Sequence, residues 1–324
     1  MMANPSKTFA VRPFRDSDAS PWDDLVTRSL NGTFMHARRY VDYHGDRFED
    51  ASLVVLDPRG DLVGVLPAAR DPRLPSRVVS HPGLSYGGLV HAGLLRGEAT
   101  VQALTAAAEH YRTLGYDTFR YKAIPTIYHR NPVADDVYAL FRLDAQRYRC
   151  DLAVTVDLDA GAPIRRNRRR NLDAAQQAGL TVQTGTSWLP QFWDLLTANL
   201  MRKFNVVPAH TLAEMQDLFA RFPDNITCDV VLDGTEVLAG LVNYHTERTL
   251  HCQYSAASAR GFGLNALDLG FAHAIDEARS RGNRFFDFGV CNEDDGRVLN
   301  DSLYDFKLSF GGGSTPQEFF DVAL

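Results

Sequence analysis

The chain has 324 residues, 45% of them hydrophobic, and 34 basic against 40 acidic side chains give a net charge of −6. Ordinary hydrophobic content and small net charge exclude a disordered polymer, and no run approaches the ~18 apolar residues that a membrane span needs. At ~150 residues per domain the length fits two domains, which can bury a core without a disulfide or metal staple.

The first twenty residues carry charge where a secretion signal would carry its apolar stretch. Cys150, Cys228, Cys252 and Cys291 are scattered, with no paired spacing. The expectation is a cytoplasmic protein with neither a disulfide framework nor a metal site. Lysine occurs only at 7, 122, 203 and 307, so thirty of the basic side chains are arginine. The acidic balance argues against broad nucleic-acid binding, so any polyanion site must be local. Nothing in the sequence sets the oligomeric state.

In chain order, Trp22-Asp23 opens a first helix, and 54–67 (VVLDPRGDLVGVLP) reads as a β-hairpin. A long helix is predicted over 98–113, ended by Gly115, and then an aromatic strand, TFRYKAI. The second half repeats this order. A basic helix is predicted at 163–178, a strand at 180–184 and helices at 188–203 and 211–221. Strands follow at 226–232, 237–244 and 249–256, then a helix at 264–281 ended by Gly282. A strand at 285–289, a helix near 299–308 and a strand near 315–322 close the chain. The hairpin 230–243 (VVLDGTEVLAGLVN) matches 54–67 without gaps at six of fourteen positions. Agreement in the order of five successive elements exceeds what one hairpin gives by chance. The boundary falls where Asp and Gly break the strand pattern, giving domains 1–158 and 159–324.

Ser258, Arg260, Gly261, Phe262, Gly263 and Leu264 form a Gly-rich turn between a strand and a helix. Such a turn offers unpaired N–H groups and the positive end of a helix dipole to a pyrophosphate, and Arg260 can add a charged contact. The equivalent segment of the first half, His91–Glu98, lacks the Gly-x-Gly spacing and is expected to bind no donor. Asp287, between aromatics at a strand end, reads as a base or amine-orienting group, or as an aspartate closing a turn. His251 and Tyr254 lie on opposite faces of a regular strand, so at most one of them points into the site. Five arginines within 165–170 invite a phosphate-bearing partner, with Arg165, Arg168 and Arg169 as candidate contacts. In the first half, Tyr86 in a Gly-rich turn and Lys122, Tyr128 and His129 at a strand end are candidate acceptor-binding residues.

The element order and the Arg-Gly-Phe-Gly turn resemble the GNAT acyltransferase superfamily. The closing Phe285–Gly289 and Phe306–Gly312 segments, with the arginine helix, resemble its tandem branch containing the Fem peptidyltransferases and related acetyltransferases. The resemblance implies an α+β fold of two tandem GNAT-like domains, each a mixed, mainly antiparallel sheet flanked by helices. It implies acyl-CoA, with acetyl-CoA foremost, at Ser258–Leu264 and an acceptor held between the domains. It also gives Lys307 a role at the transferring acyl group or the donor phosphate. Where simple GNAT enzymes place an acidic tyrosine this chain has Phe306, so Tyr304 is the candidate proton donor; Ser258 stands where a Gln or Arg usually begins the loop. The expected function is N-acyl transfer from acyl-CoA to a small-molecule amine, such as a nucleotide-sugar or cell-envelope precursor. The alternatives are Fem-like transfer from an aminoacyl-tRNA, and a non-catalytic binding protein that keeps the fold.

Overall fold

The computed structural model describes residues 8–161 and 163–324, which form two compact units. One comprises the chain up to Asp151 together with Asp295–Arg297 and Pro316–Leu324; the other comprises Leu152–Asp294 and Val298–Thr315. The division falls inside a strand rather than at 158/159, because the Asp and Gly residues after Asp157 only end that strand. The last strand, expected in the second domain, returns its residues from Pro316 onward to the first unit. Among the described residues no helix is long and apolar enough to cross a membrane.

The first unit contains strands β1 (Ala10–Pro13), β2 (Leu53–Leu56), β3 (Leu62–Leu66), β4 (Ala69–Arg70), β5 (Arg77–Val79), β6 (Val90–His91) and β7 (Thr118–Lys122), with β8 (Gln146–Asp157) up to Asp151. Its helices are α1 (Ala19–Arg28), α2 (Arg38–Val41), α3 (Glu98–Thr113) and α4 (Asp135–Arg142). Strands β1, β2, β3 and β6 form an antiparallel sheet in that order, while β5 pairs in parallel with β7. The apolar stripe of α3 (Leu104, Ala107, Tyr111) packs into one core with Leu53, Val55, Phe119 and Tyr121.

The second unit takes up β8 from Leu152 and adds α5 (Arg166–Gln177), β9 (Thr181–Thr184), α6 (Leu189–Phe204), α7 (Leu212–Arg221), β10 (Ile226–Asp233), β11 (Glu236–His245) and β12 (Thr249–Ala257). Then come α8 (Ala259–Gly263), α9 (Ala266–Ser280), β13 (Phe285–Val290), β14 (Asn292–Glu293), β15 (Val298–Leu299) and α10 (Asp301–Leu308). The final strand is β16 (Gly313–Ala323), which from Pro316 lies in the first unit and pairs antiparallel with β7. The sheet runs β8-β13-β12-β11-β10-β9, antiparallel except for β12 and β13, the pair that a crossover helix must join. That crossover is α9. Its Phe271, Ala274, Ile275 and Ala278 bury against Leu241, Leu250, Phe286 and Phe288. Helix α6 covers the other face: Gly240 leaves room there for Phe192, while Leu241 reaches toward Gly270 of α9. Both long helices end as expected on glycines of positive φ, Gly115 at 86° and Gly282 at 77°. The two hairpins share a bulge at matching places, Val55/Leu56 and Val231/Leu232, but their registers differ by one residue. The repeat therefore holds element by element, not residue by residue.

Burial pushes His36, His91 and His129 of the first unit down to about 4, so all three are neutral in the folded state at pH 6. Between the ordinary histidine value and 4 the unfolded chain binds protons that the folded unit refuses. Stability is therefore lost as pH falls through that window, at up to ~1.4 kcal/mol per pH unit for each histidine. The urea midpoint of unfolding should drop steeply between pH 6.5 and 4.5. His129→Gln should flatten that slope, and an unchanged slope would show that His129 is not held neutral.

Candidate active site

Strands β12 and β13 pair over only three residues, Thr249 with Phe285, Leu250 with Phe286 and His251 with Asp287. Beyond this point both strands continue, unpaired with each other, so the sheet opens at His251 and Asp287. On its other side β13 also loses register with β8, between Asp287 and Val290. The residue responsible is Gly289, whose φ of 75° few side chains tolerate. Its N–H donates to Asp287 Oδ1 at 2.8 Å, so the carboxylate fixes the turn that follows it.

Asp287 Oδ2 lies 2.9 Å from His251 Nδ1, and both side chains are largely buried. Facing a carboxylate, Nδ1 carries the proton and Nε2 becomes the basic nitrogen. Lys307 reaches in from α10, its Nζ donating to the carbonyls of Gly289 at 3.0 Å and Val290 at 2.9 Å. Asp287 and Lys307 thus meet at one turn. Thr155, opposite Asp287 on β8, buries a hydroxyl without a hydrogen-bond partner among the described residues, as does the Oε1 of Gln253. Buried polar atoms of that kind are uncommon in the absence of a ligand.

The alternation expected along β12 fails. A bulge places Gln253 out of register with β11, between Cys252 and Tyr254. Leu250 and Cys252 face the α9 side, which turns His251 to the opposite face. Tyr254 lies on that same face, its ring 5.2 Å from Trp193 of α6 and its hydroxyl 2.6 Å from His210 Nδ1. Burial lifts the Tyr254 hydroxyl to about 12, so it stays protonated. A regular-strand reading could not recover the bulge, which has no glycine or proline to mark it.

Tyr304 shares α10 with Lys307 and packs against the aromatic cluster around Phe271. Burial raises every one of the four cysteines, Cys252 and Cys228 to about 12, even though Lys307 pulls Cys252 the other way.

The Gly-rich turn is wound into α8. Ser258 caps it, accepting the Gly261 N–H at 3.0 Å, and only Leu264 and Asn265, the latter at φ 56°, separate it from α9. Gly261 is required by packing, since a Cβ there would sit 2.2 Å from the Leu238 carbonyl oxygen, whereas Gly263 faces open space. Arg260 is exposed but gripped by Asp233 and Glu236 across the hairpin turn. Leu264 packs into the cluster under α5, and Phe262 is exposed beside Lys203. The first-turn N–H groups of Ala259 and Arg260 are what remains for a phosphate.

Of the arginines on α5, Arg168 is buried. Its guanidinium pairs with Asp268, donates to Ser309 Oγ at 2.9 Å and stacks on Phe306 at 4.4 Å. It locks α5 to α9 and α10, and is not a phosphate contact. Arg165, Arg166, Arg169 and Arg170 are exposed. The first-unit candidates are all buried: Tyr86 stacks on Tyr128 with centroids 4.6 Å apart, and His129 Nε2 bonds the Ile124 carbonyl at 3.0 Å. Lys122 points its ammonium at the carbonyls of His81 and Leu84, and burial draws it down to about 7. Strand-end position misled here, because the loops fold back over these side chains.

Removing Arg168 leaves the buried Asp268 without its counter-charge, only the Asn171 amide still donating to it at 3.1 Å, so Arg168→Met should cost ~3–5 kcal/mol in chemical unfolding. Arg169→Met should cost less than ~0.5 kcal/mol. Equal losses would show that Arg168 does not lock the three helices.

The profile of the acetyltransferase (GNAT) domain matches residues 162–307. No curated protein matches by sequence. Among solved structures, FemX shares 13% identity, with a TM-score of 0.71 over 97% of both chains. The C-terminal domain of a putative lysylphosphatidylglycerol synthetase from Agrobacterium fabrum shares 14%, with a TM-score of 0.62 over 95% of this chain and 92% of that one. L-PGS from Bacillus licheniformis shares 12%, with a TM-score of 0.56 over 85% of this chain and 82% of that one. Opened parallel strands, the helix crossing between them and the matched profile agree: residues 162–307 are a GNAT acetyltransferase domain, and the chain is an acyltransferase with a Fem-like tandem GNAT fold.

Proposed function

We propose that the chain is an N-acyltransferase that moves an acetyl or similar acyl group from acyl-CoA to a primary amine. The observation that carries this reading is the His251–Asp287 pair at the point where β12 and β13 separate. There the amine loses its proton to His251 Nε2 while its nitrogen attacks the thioester carbonyl. Asp287 stabilises the imidazolium that forms, as in other carboxylate-oriented histidines. The C–S bond then breaks, and the proton returns to the departing thiolate. Lys307 holds the Gly289–Val290 carbonyls, and so the turn, in place. The first turn of α8 receives the CoA pyrophosphate. Exposed Arg165, Arg166, Arg169 and Arg170 suit a phosphate-bearing acceptor, such as a nucleotide-sugar or cell-envelope precursor in the cytoplasm.

A second reading takes the acyl group from an aminoacyl-tRNA. It is favoured by Arg260, which Asp233 and Glu236 already neutralise beside the turn meant for CoA phosphates, and by the exposed arginines of α5.

Calorimetric titration with acetyl-CoA, CoA and aminoacyl-tRNA separates the two readings. Stoichiometric binding of acetyl-CoA supports the first, and binding of the charged tRNA alone supports the second. With the true donor, Asp287→Asn should lower kcat roughly 10²- to 10⁴-fold while donor affinity holds. An unaltered kcat would remove the His251–Asp287 pair from the chemistry.

A further inference from the structure

On the α9 face of the second unit, away from His251, lies a polar cluster that acyl transfer does not use. Asp229 of β10 is fully buried. It meets His273 and Glu277, one turn apart on α9, and the ligating atoms of the three lie within 4.8 Å of one another. Gly270 permits this approach: a Cβ there would stand 2.6 Å from Leu241 Cδ1, so α9 sits close to the sheet.

The surroundings hold the carboxylates while leaving part of their hydrogen-bonding capacity unfilled. Asp229 accepts from Thr184 Oγ1 and Asn243 Nδ2, both at 2.6 Å, and keeps lone pairs on each oxygen. Glu277 Oε1 accepts from Arg281 Nε at 3.0 Å, but its Oε2 is buried with no hydrogen-bond partner among the described residues. Asn243, fully buried with its amide against Asp229, likewise leaves Oδ1 unpartnered. His245 Nε2 is 3.9 Å from Glu277 Oε1, and its Nδ1 is a further buried nitrogen without a hydrogen-bond partner among the described residues. Several orphaned polar atoms around two carboxylates and an imidazole are costly unless something occupies the centre.

We propose that Asp229, His273 and Glu277 bind one divalent transition-metal ion of the zinc class, which pins α9 to β10. One imidazole nitrogen and two carboxylate oxygens are the donor set such ions take; calcium would need six or more oxygens and copper(I) a thiolate. Thr184, Asn243 and Arg281 are the outer partners that orient the ligands. The site lies on the far side of the sheet from the reacting groups, so its role is to fasten the helix that follows α8.

The full-length protein, stripped with chelator and titrated with ZnCl₂, should bind one equivalent and unfold at a higher temperature when loaded. His273→Ala and Glu277→Gln should each weaken zinc affinity at least ~100-fold, and Thr184→Val ~10-fold through the outer shell. Cobalt(II) should give a visible d–d spectrum that His273→Ala abolishes. The proposal is overturned if stripped protein takes up neither zinc, cobalt nor manganese at tens of micromolar. Uptake that persists unchanged in both His273→Ala and Glu277→Gln overturns it equally.

Discussion

The site depends on a single constraint: two parallel strands that hydrogen-bond for three residues and then part. While β12 and β13 remain paired, their side chains pack against α9 as any buried sheet would. Where pairing stops, backbone and polar side chains face a gap that the sheet itself cannot fill. Gly289, with its positive φ, and the bulge at Gln253 let each strand bend away. Asp287 then serves twice, bonding the Gly289 N–H with one oxygen and the His251 ring with the other. Lys307 closes the arrangement from α10. The candidate site and the strand separation are thus products of the same few residues.

Much of the architecture was legible in the sequence, because helices at period 3.6 and strands of alternating or continuous apolar residues leave strong signatures. The helix 98–113 was placed at its observed bounds, and every element of 211–257 within a residue or two. The helix expected over 264–281 is α9, while the Gly-rich turn before it is itself wound into the short α8, set off by Asn265 in a left-handed backbone. The site was half legible. Asp287 and Lys307 stood out by their setting, and they do converge. His251 did not, because its partner lies on another strand; the bulge that follows it decides the face of Tyr254.

Burial separates the candidate residues that the fold exposes from those it packs away. Sequence marks a cation or a tyrosine in a loop as available; the fold decides whether it is. Arg168, one of five arginines in a run, is the one turned inward, where Asp268 and two phenylalanine rings absorb its charge. Arg260 is spent on a local acidic pair. Lys122, Tyr86, Tyr128 and His129 hold their own unit together. Asp229, His273 and Glu277 show the converse: no short spacing links the strand aspartate to the helix pair, yet packing brings them within ligating distance.

Hydrogen–deuterium exchange with and without acetyl-CoA tests the central claim most directly. Donor bound where the strands part should slow exchange at 251–264 and 287–291 of the second unit, leaving the first unit's core unchanged. Binding that protects only the first unit, or that leaves both of those segments unprotected, would contradict the account.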